Sequence, residues 1–169
     1  FNELLIISVE MTTLEPMKLS LRGEYALRAL LVLTMNYGDQ VVRIQTISDQ
    51  QRIPKKFLEQ ILNDLKNLGA VESKRGINGG YRLARPPENI TLASVVRHVE
   101  GALAPVSCVS DRFYERCTCP DEATCPIRDV MKEVREAVVK IMERVTLADL
   151  RDRAQRLQKP TSQGGDFAI

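Results

Sequence analysis

The stretch IPKKFLEQILNDLKNLGAVESKRGINGGYRLARPP, residues 53–87, decides the fold. Pro54 suits the first position of a helix, where its missing N–H would be unpaired in any case. Apolar residues at Phe57, Leu58, Ile61, Leu62, Leu65 and Leu68 then recur at helical spacing, predicting an inward face on a helix from Lys55 to Leu68. Gly69 is placed to end it in a left-handed cap. Ala70–Ser73 and Tyr81–Ala84 read as strands, and the basic, glycine-rich run Lys74–Gly80 joins them as a hairpin. Pro86-Pro87 stops the second strand. Upstream, a second short helix is predicted at Gln45–Gln51, with Arg52-Ile53 as the turn. Two short helices about a tight turn form a helix-turn-helix, and a hairpin directly behind them is a wing.

Outward from this unit, Ser20 can cap a helix running to about Asn36 that is apolar on most sides, as a buried core helix is. Glu24 and Arg28 stand on it four apart in the favourable order. Thr91 caps a short helix, Leu92–Glu100, closed by Gly101, and its His98 reads as a surface or packing residue. Residues 102–126 carry no steady period and hold all four cysteines, Cys108, Cys117, Cys119 and Cys125. Pro126 then opens a long helix. Ile127, Met131, Val134, Val138, Ile141, Val145 and Ala148 alternate steps of four and three along it, a heptad seam that predicts pairing with a second copy. Thr146 and Asp149 restart a last short helix ending near Leu157. The expected fold is mostly α with a small β-hairpin wing. It comprises an N-terminal extension outside the fold (1–16), a winged helix-turn-helix domain (17–101), a cysteine-rich sensor loop (102–126), a dimerisation helix with a short last helix (127–157) and a flexible tail (158–169).

The chain's net charge is only +2, so a nucleic-acid site has to be a local patch. Residues 52–85 supply one, with eight basic side chains against three acidic. No apolar run reaches the ~20 residues of a membrane helix, and FNELLIISVE lacks the basic start of a signal peptide. The chain therefore reads as cytoplasmic, where clustered cysteines bind metal or do redox chemistry more often than they form structural disulfides. No catalytic constellation is visible, so an enzyme is not expected.

A recognition helix presents its first side chains to base edges, here Lys55, Lys56, Glu59 and Gln60. In the wing, Arg75 suits a narrow minor groove, and Gly76 lets the backbone come close. Arg22 and Tyr25 at the start of the first helix are candidate phosphate contacts, or else a surface charge and a packed ring. The cysteines read C-x8-C-x-C-x5-C, without the paired knuckles of structural zinc. Thiolates converging from a flexible loop suit an iron–sulfur cluster first and zinc second, with a direct thiol–disulfide switch also open. Cys125 lies next to a helix N-terminus, which favours a thiolate.

Three segments carry a family resemblance: MKLSLRGEYALRALLVL from Met17, IPKKFLEQILNDLKNLGAVESKRG from Ile53 and NGGYRLARPPENITLASVVRHVEG from Asn78. Over about residues 17–150 the chain resembles the bacterial winged-helix transcriptional regulators of the Rrf2 family, and RG-x-x-GGY-x-L is the most specific motif. The resemblance implies base reading by Glu59 and the Arg75-Gly76 pair. It also implies a homodimer on a palindromic double-stranded DNA operator, with half-sites about one helical turn or a multiple apart, ~34 Å each. Its cluster-binding members imply a cluster, 4Fe-4S or 2Fe-2S and absent in an apo form, on Cys108, Cys119 and Cys125. Cys117 departs from their three-cysteine pattern and is a fourth ligand, an alternate or a bystander. Glu24 is the alternative fourth ligand, reaching over from a partner subunit, unless it serves only to pair with Arg28. Where some relatives carry a histidine after the last cysteine, this chain has Arg128, which does not ligate. Some relatives also bind metabolic enzymes, which leaves control by such a partner as a further reading.

Overall fold

The computed structural model describes residues 19–38 and 41–158. The expected extension (1–16) and the tail beyond residue 158 lie outside the described residues.

Helix α1 (Leu21–Met35) is the centre of the molecule. The Ser20 side chain accepts from the Gly23 N–H at 3.1 Å, capping the helix as its sequence predicts. Ala26, Ala29, Leu30, Val32 and Leu33 are buried along it. Small residues at Ala26 and Ala29 leave room for neighbours on more than one side. α1 is accordingly packed by α3 (Lys55–Asn67), α4 (Leu92–Glu100) and α6 (Leu147–Gln158).

Helix α2 (Ile44–Gln51) and α3 form the helix-turn-helix. The turn is tight because Arg52 adopts a left-handed conformation, φ 53. Ser48 holds it from both atoms: its carbonyl accepts from Ile53 N at 3.1 Å, and its hydroxyl donates to the Ile53 carbonyl at 2.7 Å. Leu58, Ile61, Leu62 and Leu65 form the buried face of α3. Phe57, expected inward, is 53% exposed. It sits about 100° around the helix from Leu58, off the stripe the other four define. α3 begins at Lys55, with Pro54 in the capping position, and ends beside Gly69 at φ 71.

Strands β1 (Val71–Lys74) and β2 (Gly80–Leu83) pair antiparallel in the register Val71↔Leu83 to Lys74↔Gly80. Val42 adds a single rung on the far side of β2, exchanging two 2.8 Å backbone bonds with Tyr81. This rung fixes the wing to the segment leading into α2. It also explains the glycine at position 80: a Cβ there would stand 2.5 Å from the Val42 carbonyl oxygen.

After the segment holding the cysteines, α5 (Pro126–Arg144) runs with no fully buried residue in its 19. Met131, Val134, Val138 and Met142 are half-buried, whereas Ile127, Val130 and Ile141 are 67, 53 and 55% exposed. The chain then turns back into the winged domain. Leu92 N donates to the Val145 carbonyl and Leu147 N to the Ile90 carbonyl, both at 2.9 Å. Val145, Leu147 and Ala148 are buried in consequence. Val145 and Ala148, expected on the pairing seam, belong instead to the core of their own domain, because the helix breaks at Val145 and α6 packs back on α1. Among the described residues no helix is long and apolar enough to cross a membrane.

Candidate DNA interface and cysteine cluster

Lys55, Lys56, Glu59 and Gln60 are all exposed on α3. Lys56, Glu59 and Gln60 line a shallow groove with Asn63, Lys66 and Tyr81, between the helix and the wing. Asn63 and Lys66 were absent from the sequence-based candidates, although their spacing from Glu59, four and seven residues, places them on the same helical face. Arg75 and Gly76 are exposed at the far end of the hairpin. Two other cations, Arg82 of the patch and Arg22 of α1, are already matched. Arg82 pairs with Glu72 across the hairpin at 2.5 Å, and Arg22 pairs with Asp64 of α3. Arg22 thus braces α1 against the recognition helix. Tyr25 lies under the Arg28 guanidinium, 5.5 Å from ring centroid to carbon, and packs against the core. Glu24 pairs with Arg28 at 3.1 Å.

The cysteine segment has one short 3-10 turn, Ser107–Val109, and a backbone bond from Glu115 N to the Ser107 carbonyl at 3.4 Å, and is otherwise held mainly by side chains. Arg128, on the first turn of α5, does most of this. Its Nε donates to the Cys108 carbonyl at 3.3 Å and lies 3.1 Å from the Glu122 carboxylate, while its backbone N–H donates to Cys125 Sγ at 3.5 Å. Tyr114 donates to the same Glu122 at 2.7 Å. Further along α5, the largely buried Arg135 pairs with Asp111. Asp121 folds the last turn of the loop, accepting from Thr124 Oγ1 at 2.7 Å and from Ala123 N at 2.9 Å, and these bonds, the Thr124 one foremost, lower its pKa. The sequence dismissed Arg128 as a non-ligand. Its ordering role depends on which loop atoms come to face α5, and local spacing does not encode that.

The four thiols are free. Cys119 and Cys125 lie 3.6 Å apart, sulfur to sulfur. Cys117 stands beside both Cys108 and Cys119. Cys108 is buried, and this burial, followed by the charge of Cys117, pushes its thiol up. Cys119 is pushed up to about 12, through hydrogen bonds with Cys117 and then Cys125. Cys125 moves the opposite way: the Arg128 N–H at the start of α5 holds it below the usual thiol range. Among the described residues no three His, Cys, Asp or Glu side chains are arranged about one point as ligands of a metal ion. The donor chemistry nevertheless fits an iron–sulfur cluster, which is held through separate thiolates: four sulfurs from one segment, beside a helix N-terminus and an arginine.

The fold and the exposed α3–wing face define a winged helix-turn-helix DNA-binding protein. The chain belongs to the Rrf2 family, described as iron-dependent transcriptional regulators, whose family model matches residues 19–153. It is 39% identical over 131 residues to a putative Rrf2-like HTH-type transcriptional regulator of Rhodobacter capsulatus, covering 75% of this chain and 87% of the relative. Among solved structures it is similar to CymR, the global cysteine regulator of B. subtilis (TM-score 0.68, 29% identity, 80% of this chain and 97% of that one). It is equally similar in shape to IscR of T. potens (TM-score 0.68, 25% identity, 85% and 92%). The protein is a DNA-binding transcriptional regulator of this family.

Proposed function

We propose that two copies of this chain bind a palindromic operator, and that an iron–sulfur cluster held by Cys108, Cys119, Cys125 and Cys117 governs that binding. The observation that carries the reading is the position of the thiols. They lie where Arg128 and Arg135 fasten the loop to α5, so a change at the sulfurs acts on the helix that pairs the subunits. Bound there, the cluster would supply sensitivity to redox state, nitric oxide or iron supply. Cys117, a neighbour of Cys108 and Cys119, is favoured as the fourth ligand over Glu24, whose carboxylate is engaged by Arg28 and which would have to come from the partner subunit. Dimerisation is supported by α5, which leaves Ile127, Val130 and Ile141 in water. On the DNA side, Lys55, Lys56, Glu59 and Gln60 enter the major groove and Arg75-Gly76 the minor groove.

Anaerobic reconstitution with iron and sulfide, followed by absorption spectroscopy and iron and sulfide analysis, tests the cluster. Wild type should show visible charge-transfer bands, and replacing Cys108, Cys119 or Cys125 by Ala should abolish them. A colourless wild-type protein would sink the idea.

The 3.6 Å separation of Cys119 and Cys125 favours a second reading, a cluster-free thiol switch. Each thiol would give up one proton and one electron to hydrogen peroxide, whose O–O bond breaks as the disulfide forms, leaving two waters. Metal-free protein whose operator affinity changes on peroxide treatment, with Cys119→Ser unresponsive, would favour this reading over the first.

A further inference from the structure

Ile77 stands at the tip of the wing and is 94% exposed. Single apolar residues on a surface are common and need no explanation. This one differs in how its backbone is held. Arg43, at the start of α2, donates from Nη2 to the Ile77 carbonyl at 3.3 Å. The turn around it is closed by Gly79 N donating to the Gly76 carbonyl at 2.8 Å, with Gly76 at φ 110, a conformation L side chains rarely adopt. A Cβ on Gly79 would sit 2.4 Å from the Lys74 carbonyl oxygen. The tip is therefore a rigid turn braced on the recognition unit, presenting a branched aliphatic side chain two residues beyond Arg75.

We propose that Ile77 is a specificity residue: it enters the minor groove beside Arg75 and selects A·T over G·C pairs. The inference rests on DNA binding by α3 and the wing. The minor groove is narrow, and sugar C–H groups line its walls. Over an A·T pair its floor carries only acceptors, whereas a G·C pair adds the guanine amino donor. An aliphatic group pressed onto that floor offers no acceptor. It would strip water from the guanine amino group and leave it unpaired, whereas at the same place over A·T it meets the adenine C2–H, the ring-nitrogen and carbonyl acceptors being common to both pairs. Arg75 favours the same place, because A·T-rich minor grooves are narrow and strongly negative. Charge thus draws the wing in, and Ile77 discriminates by shape and polarity.

The test uses the full-length protein and an operator selected from random DNA. Adenines facing the wing are replaced by 2,6-diaminopurine, which adds a minor-groove amino group and leaves the major-groove edge of adenine intact. Wild type should bind the modified operator about tenfold more weakly. Ile77→Ala should bind the unmodified operator about tenfold more weakly, with an unchanged salt slope, and should no longer distinguish the two DNAs. Ile77→Val should keep the discrimination. Wild type indifferent to diaminopurine, or Ile77→Ala at wild-type affinity, overturns the proposal while leaving DNA binding intact. Failure of the wild type to bind any selected DNA would overturn the underlying interface as well.

Discussion

Arg128 connects three things through one side chain and its own backbone: the Cys108 carbonyl, the Glu122 carboxylate and the Cys125 sulfur. Replacing it with Ala should therefore loosen the loop rather than the winged domain. Because the side chain is 37% exposed, solvent screening limits the loss of global stability to about 1 kcal/mol or less. The expected signature is reduced iron content after reconstitution with a melting temperature close to wild type, measured on the same sample. At the DNA face, Arg75→Ala should flatten the dependence of log affinity on log salt by about one unit, the mark of one lost phosphate-region cation. At this scale the sequence was informative about residue types and poor about neighbours. The four cysteines and the basic patch were visible at once. That Cys119 and Cys125 meet at 3.6 Å follows from the path of an irregular loop, which no periodicity records.

The elements were read best where each carries its own local signals. Capped ends at Ser20 and Thr91, the glycine stop at Gly69 and the alternation of the hairpin placed α1, α3, α4 and the wing within a residue or two. Long-range packing was less legible. The heptad on α5 merges two faces: Met131, Val134 and Val138 partly cover their own domain, whereas Ile127 and Ile141 remain exposed, as does Val130 beside the seam. Spacing alone does not say which apolar side chain meets which neighbour. A charge on the open face tests the proposed dimer: wild type should sediment as a dimer and Ile141→Glu as a folded monomer in analytical ultracentrifugation, and operator binding should fall with it. The return of the chain at Val145 depends on Thr146 and Asp149. The Asp149 carboxylate accepts from Thr146 N and Oγ1, both at 2.8 Å, and the backbone bond foremost holds its pKa below the ordinary carboxylate value. A depressed folded-state pKa adds stability above the unfolded value and loses it as pH falls through the folded one. Asp149→Asn should thus be less stable than wild type in urea near pH 7, and the difference should shrink below about pH 4.

At the scale of the whole molecule, a rigid DNA-reading domain is joined to an open helix by a segment that carries every cysteine. That order along the chain was read from caps, periodicity and the positions of the cysteines. What the structure adds is that α6 ties the far end of α5 back into the core beside α1, while the near end is held through Arg128 and Arg135. Under the proposed function, change at the sulfurs would be applied to a helix fixed at its other end, and so would tilt one subunit against the other. Moving such a dimer from one part in a hundred bound to ninety-nine requires the two cluster states to differ in operator affinity by about 10⁴-fold, roughly 5.5 kcal/mol. The most direct measurement is the operator Kd of the cluster-loaded dimer and of the cluster-free dimer, taken without oxygen at one salt concentration. The account predicts Kd values differing by on the order of 10²-fold or more. Equal Kd values for the two forms, with iron and sulfide stoichiometric in the loaded one, would contradict it.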